Sequence, residues 1–171
     1  MSEEFPCEET ILGYISPWAF TNVGIALCIF LSVLGSGWGI VSTGVSLLGA
    51  GIKSPRIRSR NLISIIFCEA VAIFGVIVAI IFVNKEEFPD ELNCVNVVTT
   101  SYAIFWGCLV AGLTNLVCGV SIGIVGGGCA VADARNESLF VKVFICEVFA
   151  SAFSIFGFIV AMVTVSKFSF G

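Results

Sequence analysis

Four apolar segments, at roughly 17–50, 57–83, 97–132 and 138–166, take up most of the 171 residues. A helix needs about 20 apolar residues to cross a ~30 Å hydrocarbon core, and each segment is long enough. Hydrocarbon offers the backbone no water to bond, so a spanning segment must satisfy its own N–H and C=O groups as a helix. Composition agrees: 58% of the residues are hydrophobic and 12% charged, about half the charge of a soluble domain. The chain therefore reads as an all-α membrane protein with four transmembrane helices. With no His and a net charge of −4, it has no basic field for nucleic acid. Cys28, Cys68, Cys108, Cys118, Cys129 and Cys146 lie inside the apolar segments, where free Cys acts as a small hydrophobe. No CxxC pair occurs, so no zinc site is expected.

The connections set the orientation. Lys53, Arg56, Arg58 and Arg60 cluster at the junction of the first two segments, with no acid among them. Between the second and third, Lys85 faces Glu86, Glu87, Asp90 and Glu91. The positive-inside rule puts loop 51–61 in the cytoplasm, which leaves the acidic loop and both termini on the luminal side. The last connection, with Asp133, Arg135, Glu137 and Lys142, is balanced and decides nothing. The expected organisation is an acidic luminal tail at 1–14, a first hairpin at 15–84, an acidic luminal loop at 85–96 and a second hairpin at 97–168. The start, MSEEFPCEET, is acidic where a signal peptide is basic, so no signal peptide is expected. Cys7 and Cys94 fall on one side of the membrane, which leaves a disulfide between them open.

Glycine is distributed unevenly. Segment one, counted with Gly51 at its end, and segment three hold seven each, while segments two and four hold one each, Gly75 and Gly157, and are filled with Phe, Ile and Val. A helical Gly costs about 1 kcal/mol relative to Ala, so the concentration needs a reason. In lipid that reason is close backbone approach. Gly37, Gly44 and Gly51 recur every seven residues, as do Gly112, Gly119 and Gly126. Any one of them suits packing within a four-helix bundle. Two thin helices alternating with two bulky ones fit concentric rings better, with the thin pair inside.

The chain also repeats itself at an offset of 82: AIFGVIVAI (72–80) returns as SIFGFIVAM (154–162). The same offset pairs Gly37 with Gly119, Gly44 with Gly126 and Phe67 with Phe149. Two duplicated hairpins follow, in one orientation because each has an even number of spans.

Two acids lie inside the apolar segments, Glu69 and Glu147. An ionisable group at membrane depth is a functional candidate by default. Hydrocarbon penalises its ionised form, so Glu69, near the middle of the second segment, keeps its proton while facing lipid and releases it where water or a cation reaches it. At the common offset Glu69 matches Ser151, not Glu147, which lies four residues earlier, or about 6 Å along the helix. Glu147 therefore reads either as a second titrating acid or as a protonated structural acid bonded to Asn115, Thr114 or a backbone carbonyl. Asn115 is the candidate polar partner of the acids, or else interhelical glue. Ser32, Ser36, Ser42, Thr43 and Ser46 can bond back to their own helix and receive no role. A sodium site needs several converging oxygens; Phe67, Cys68 and Ala70 flank Glu69 instead, so protons fit better. No GxxxxGK[ST] occurs, so ATP chemistry is not expected in this chain.

Paired Gly-rich and bulky hairpins, with a carboxylate six residues before the Gly of AIFG, resemble the proteolipid subunits of V-type ATPases. GVSLLGAGIKSPRIRSRNLISIIFCEAVAIFG and LTNLVCGVSIGIVGGGCAVADARNESLFVKVFICEVFASAFSIFG are similar to the c-double-prime group, and the resemblance runs from about residue 15 to 168. Glu147 stands ten residues before Gly157, whereas ordinary c subunits keep the six-residue spacing in both hairpins. The resemblance implies a non-catalytic rotor subunit in a mixed ring of proteolipids. That ring would turn against the a subunit of the membrane sector, with its Arg-bearing half-channel, and be joined to the d subunit. It further implies Glu69 as the essential proton carrier, Glu147 as non-essential, H+ as the transported ion with no cofactor, and an acidic endomembrane such as vacuole, lysosome, endosome or Golgi. Many members of that group carry an extra N-terminal helix; a short acidic tail stands before Trp18 here, so that helix is expected to be absent or to have been removed. The rival readings are an ordinary c subunit, a small four-helix proton-coupled transporter and a purely structural four-span protein.

Overall fold

Pro17 opens α1 (Pro17–Lys53), at a position where a missing N–H breaks no helical bond. Lys53 in its last turn suits the negative end of the helix dipole. The computed structural model describes residues 16–54, 57–85 and 94–168. After α1 come a single turn, α2 (Ile57–Arg60), then α3 (Leu62–Val83) and α4 (Cys94–Arg135). A 3₁₀ turn at Glu137–Leu139 leads into α5 (Phe140–Ser166). Asn136 opens that turn by accepting a bond from Ser138 N at 3.1 Å.

The four long helices match the four segments, with shifts at their ends. α4 starts at Cys94, so residues 94–96 of the expected acidic loop are helical. α1 runs on to Lys53 and α2 fills part of loop 51–61. The expected 1–14 tail and the Cys7–Cys94 pairing lie outside the described residues. α1 and α4, with 37 and 42 residues, are about 55 and 63 Å long at 1.5 Å per residue and so outreach the hydrocarbon core. α3 and α5, with 22 and 27 residues, are about 33 and 40 Å long.

α1 and α4 make the most extensive pairing in the chain, and their backbones nearly touch. A Cβ added at Gly35 would lie 2.5 Å from Leu116 Cα, and one at Gly119 would lie 2.6 Å from the carbonyl carbon of Gly35. Cβ atoms at Gly39 and Gly123 would collide with Gly119 O and Gly39 Cα. The contact is built from two Gly-x-x-x-Gly steps, 35/39 and 119/123, the spacing that lets helices in lipid approach most closely.

The sevenfold glycine pattern divides between two surfaces. Gly112, Gly119 and Gly126 face this chain's own α1, α3 and α5, so they serve packing within the chain. Gly37 and Gly44 meet nothing within 4 Å, and they lie on an open face of α1. Gly51 is buried.

α3 rests on α1 and α4, α5 rests mainly on α4, and α3 and α5 touch each other sparingly. Thin helices thus form one layer and bulky helices the other. Apolar side chains fill the space between layers in patches, one around Cys28, Val78, Phe82 and Ile104, another around Cys68, Val71, Cys118 and Ile122. Lys85 Nζ donates to Val165 O at 3.1 Å, which ties the end of α3 to the end of α5. The duplication is visible in three dimensions. A Cβ at Gly75 would strike the Ser32 side chain, and one at Gly157 would lie 2.7 Å from Thr114 Cβ. Ser32 and Thr114 are themselves 82 residues apart, as are the two glycines.

Candidate functional site

The two acids inside the spans face opposite environments. On α3, Leu62, Ile66, Ile73, Val76, Ile80 and Val83 are exposed at helical spacing. Glu69 lies in register with that stripe and is exposed too. α3 contains no other acid and no Lys or Arg. Its outer face is therefore an apolar surface interrupted by one carboxyl group. Glu69 lies seven residues into α3, about 10 Å along its axis.

Glu147 is 0% exposed. Ser64 Oγ lies 2.8 Å from its Oε1 and 2.9 Å from its Oε2. A Cβ on Gly126 of α4 would sit 2.8 Å from Ser64 Cβ, 3.1 Å from Thr43 Oγ1 and 3.2 Å from Glu147 Oε1. The missing side chain at Gly126 thus makes room for a polar knot among all four long helices. Among the described residues no Lys or Arg pairs with Glu147; the ion pair joins Arg60 to Glu137 instead. Neither Asn115 nor Thr114 is the partner of Glu147. Ser64 holds that place because α3 packs beside α5 at this level, and the pairing joins residues 83 apart in sequence.

Asn115 bonds neither acid. Its Nδ2 donates to Ser32 Oγ at 2.9 Å, and its Oδ1 accepts from Ser154 Oγ at 2.6 Å. Ser32 in turn donates to Cys28 O at 2.7 Å. Asn115 is therefore glue between α1, α4 and α5, with both ends of its amide satisfied. Ser32 and Ser46 do bond back to their own helix. Thr43 departs from that expectation and reaches across to Gly123 O at 3.2 Å.

Nothing in the sequence pattern marked Ser64, because a hydroxyl inside a span usually bonds its own helix. Gly35, Gly39 and Gly123 were legible as four-residue steps, but the sevenfold repeat led elsewhere.

The family model for the ATP synthase C subunit matches residues 23–82 and 105–164, one copy on each hairpin. The chain is 45% identical over 156 residues to the c'' subunit of the V-type proton ATPase of Saccharomyces cerevisiae, covering 90% of this chain and 73% of that one. It is 52% identical over 151 residues to the c''2 subunit of the V-type proton ATPase of Arabidopsis thaliana, covering 87% and 85%. Against the 16 kDa proteolipid of the Homo sapiens V-type proton ATPase, an ordinary c subunit, the identity is 26% over 148 residues, covering 86% and 92%. Tandem hairpins, an outward carboxyl group and these matches define the class: the chain belongs to the ATP synthase C-subunit family of membrane proteolipids. Within it the chain falls with the V-type c'' subunits, proton-translocating rotor components that are not themselves catalytic.

Proposed function

We propose that Glu69 is the proton carrier of this subunit, and that the chain works as one segment of a mixed proteolipid ring turned by ATP hydrolysis elsewhere in the complex. The observation that carries this reading is the exposed carboxyl group on an otherwise apolar outer face. An ionised carboxylate is costly in hydrocarbon. Glu69 therefore crosses the lipid-facing arc of each rotation as a neutral acid. It gives up its proton where a fixed cation and water lower the cost of the charge, which is the part a half-channel Arg on the a subunit would play. On leaving that contact it takes a new proton from the cytosolic side before re-entering lipid. The net result is acidification of the compartment into which protons are released.

Thin α1 and α4 form the inner wall of the ring in this account, and α3 and α5 form the outer wall. The open glycines at 37 and 44 on α1 suit close approach by a neighbouring proteolipid. Loop 51–61 faces the cytoplasm and both termini face the lumen of a vacuole, lysosome, endosome or Golgi membrane. The d subunit sits against the cytoplasmic end of the ring.

Selective modification tests this reading. A hydrophobic carbodiimide adds to protonated carboxyl groups within lipid, so it should attach to Glu69 and spare buried Glu147. ATP-driven acidification should fall in step with attachment. Pumping that persists with Glu69 fully modified would overturn the carrier role.

A further inference from the structure

We propose that Glu147 is a positioning residue: a neutral carboxylic acid that pairs reciprocally with Ser64 and holds the carrier helix α3 so that Glu69 points outward. The inference rests on the carrier role of Glu69.

Hydrogen counting supports the neutral form. Ser64 Oγ approaches both carboxyl oxygens, at 2.8 and 2.9 Å. An ionised carboxylate has no hydrogen to give, and the serine hydroxyl has one. The single serine hydrogen can at best be shared between the two oxygens, whereas two separate bonds use a second hydrogen. A neutral acid supplies it: Ser64 donates to one oxygen, and the acid's own O–H donates back to Ser64 Oγ. Burial leads the same way, because Glu147 is 0% exposed and a buried charge without a partner is strongly disfavoured. The titratable groups around the knot are the thiols of Cys68 and Cys129, with Asp133 beyond Cys129; none of them is a cation.

The place of the pair explains what it does. α3 rests on α1 and α4 but touches α5 little, so little apolar packing sets its azimuth relative to α5. Ser64 and Glu147 bridge these two helices, and Gly126 of α4 closes over the bridge. Ser64 and Glu69 are five residues apart on α3, about 140° around the helix. Fixing Ser64 inward therefore fixes Glu69 outward.

The test uses the intact ATPase in vesicles, with each variant as the sole version of this subunit. Three readouts are taken: acidification per assembled complex, the rate of Glu69 modification by a hydrophobic carbodiimide, and the melting temperature of the complex. Glu147→Gln keeps a donor and an acceptor without a titrating proton, so it should stay within about twofold of wild type on the first two. Glu147→Ala and Ser64→Ala should each lower pumping about fivefold and change the modification rate of Glu69, and the double variant should be no worse than either alone. If Glu147→Gln loses as much as Glu147→Ala, ionisation of Glu147 is in use and the proposal fails. If Ser64→Ala matches wild type on all three readouts, the proposal fails as well. Should Glu147→Ala not assemble, Ser64→Ala beside Glu147→Gln still decides. Failure of the carrier role shows separately, as normal acidification by Glu69→Gln. In that case the melting temperatures of the Ser64 and Glu147 variants decide the pairing alone.

Discussion

Ser64 and Glu69 share α3 and face opposite ways: Ser64 is 2% exposed and bonded to Glu147, whereas Glu69 is exposed on the apolar outer face. One helix thus keeps one acid's partner inside and presents another acid outside. Both acids lie within apolar spans, but one is presented on the outer face and the other is enclosed among four helices.

The glycine contact between α1 and α4 sets backbone directly against backbone. Gly39→Val or Gly123→Val sets a branched side chain against backbone, which cannot move aside as a flexible side chain does. Overpacking of this kind typically costs about 1–3 kcal/mol, and the backbone contact puts these variants at the upper end. Gly37→Ala meets nothing within 4 Å and should leave the chain's own stability unchanged. Thermal unfolding of the purified protein in detergent should separate the two classes.

Asn115→Leu removes an acceptor from Ser154 and a donor from Ser32. Each interhelical polar contact in a membrane contributes about 0.6 kcal/mol on average and about 1.7 at most, so the loss of two should cost about 1 kcal/mol and no more than about 3. Because Asn115 touches neither acid, acidification per assembled complex should remain at the wild-type value. A large drop in pumping at full assembly would give Asn115 a part in the proton path.

Arg60 and Glu137 form an ion pair at 2.6 Å between the connections of the two hairpins, with side chains 45% and 56% exposed. Arg60 also lies 5.6 Å from the ring centre of Phe140. Exposed pairs contribute at most about 1 kcal/mol and are screened by salt. Arg60→Gln should lower the melting temperature slightly at low salt and hardly at all at high salt.

The four spans, the hairpin duplication and the separation of the two acids were legible in the sequence, because hydropathy, an 82-residue offset and a rare buried charge type are properties of the chain alone. The contacts of single polar groups were not. Asn115 read as an acid's partner or as interhelical glue, and only the structure decides for glue between two serines, while Glu147 found Ser64 instead of Asn115 or Thr114. Such partners depend on helix rotation, and a turn of a few tens of degrees exchanges one hydroxyl for another. The glycines show the same limit. The repeat of seven picked out Gly112, Gly119 and Gly126, which pack within the chain, and also Gly37 and Gly44, which lie open, while it passed over Gly35, Gly39 and Gly123, which complete the contact with Gly119.

ATP-driven acidification by vesicles in which the Glu69→Gln variant fully replaces the wild-type chain tests the central claim most directly, with assembly confirmed in the same preparation. Gln keeps the size and hydrogen bonding of Glu but has no proton to release. The account predicts an assembled complex in which proton transport is abolished. Normal acidification by an assembled Glu69→Gln complex would contradict it, and Glu69 would then carry no proton for the ring.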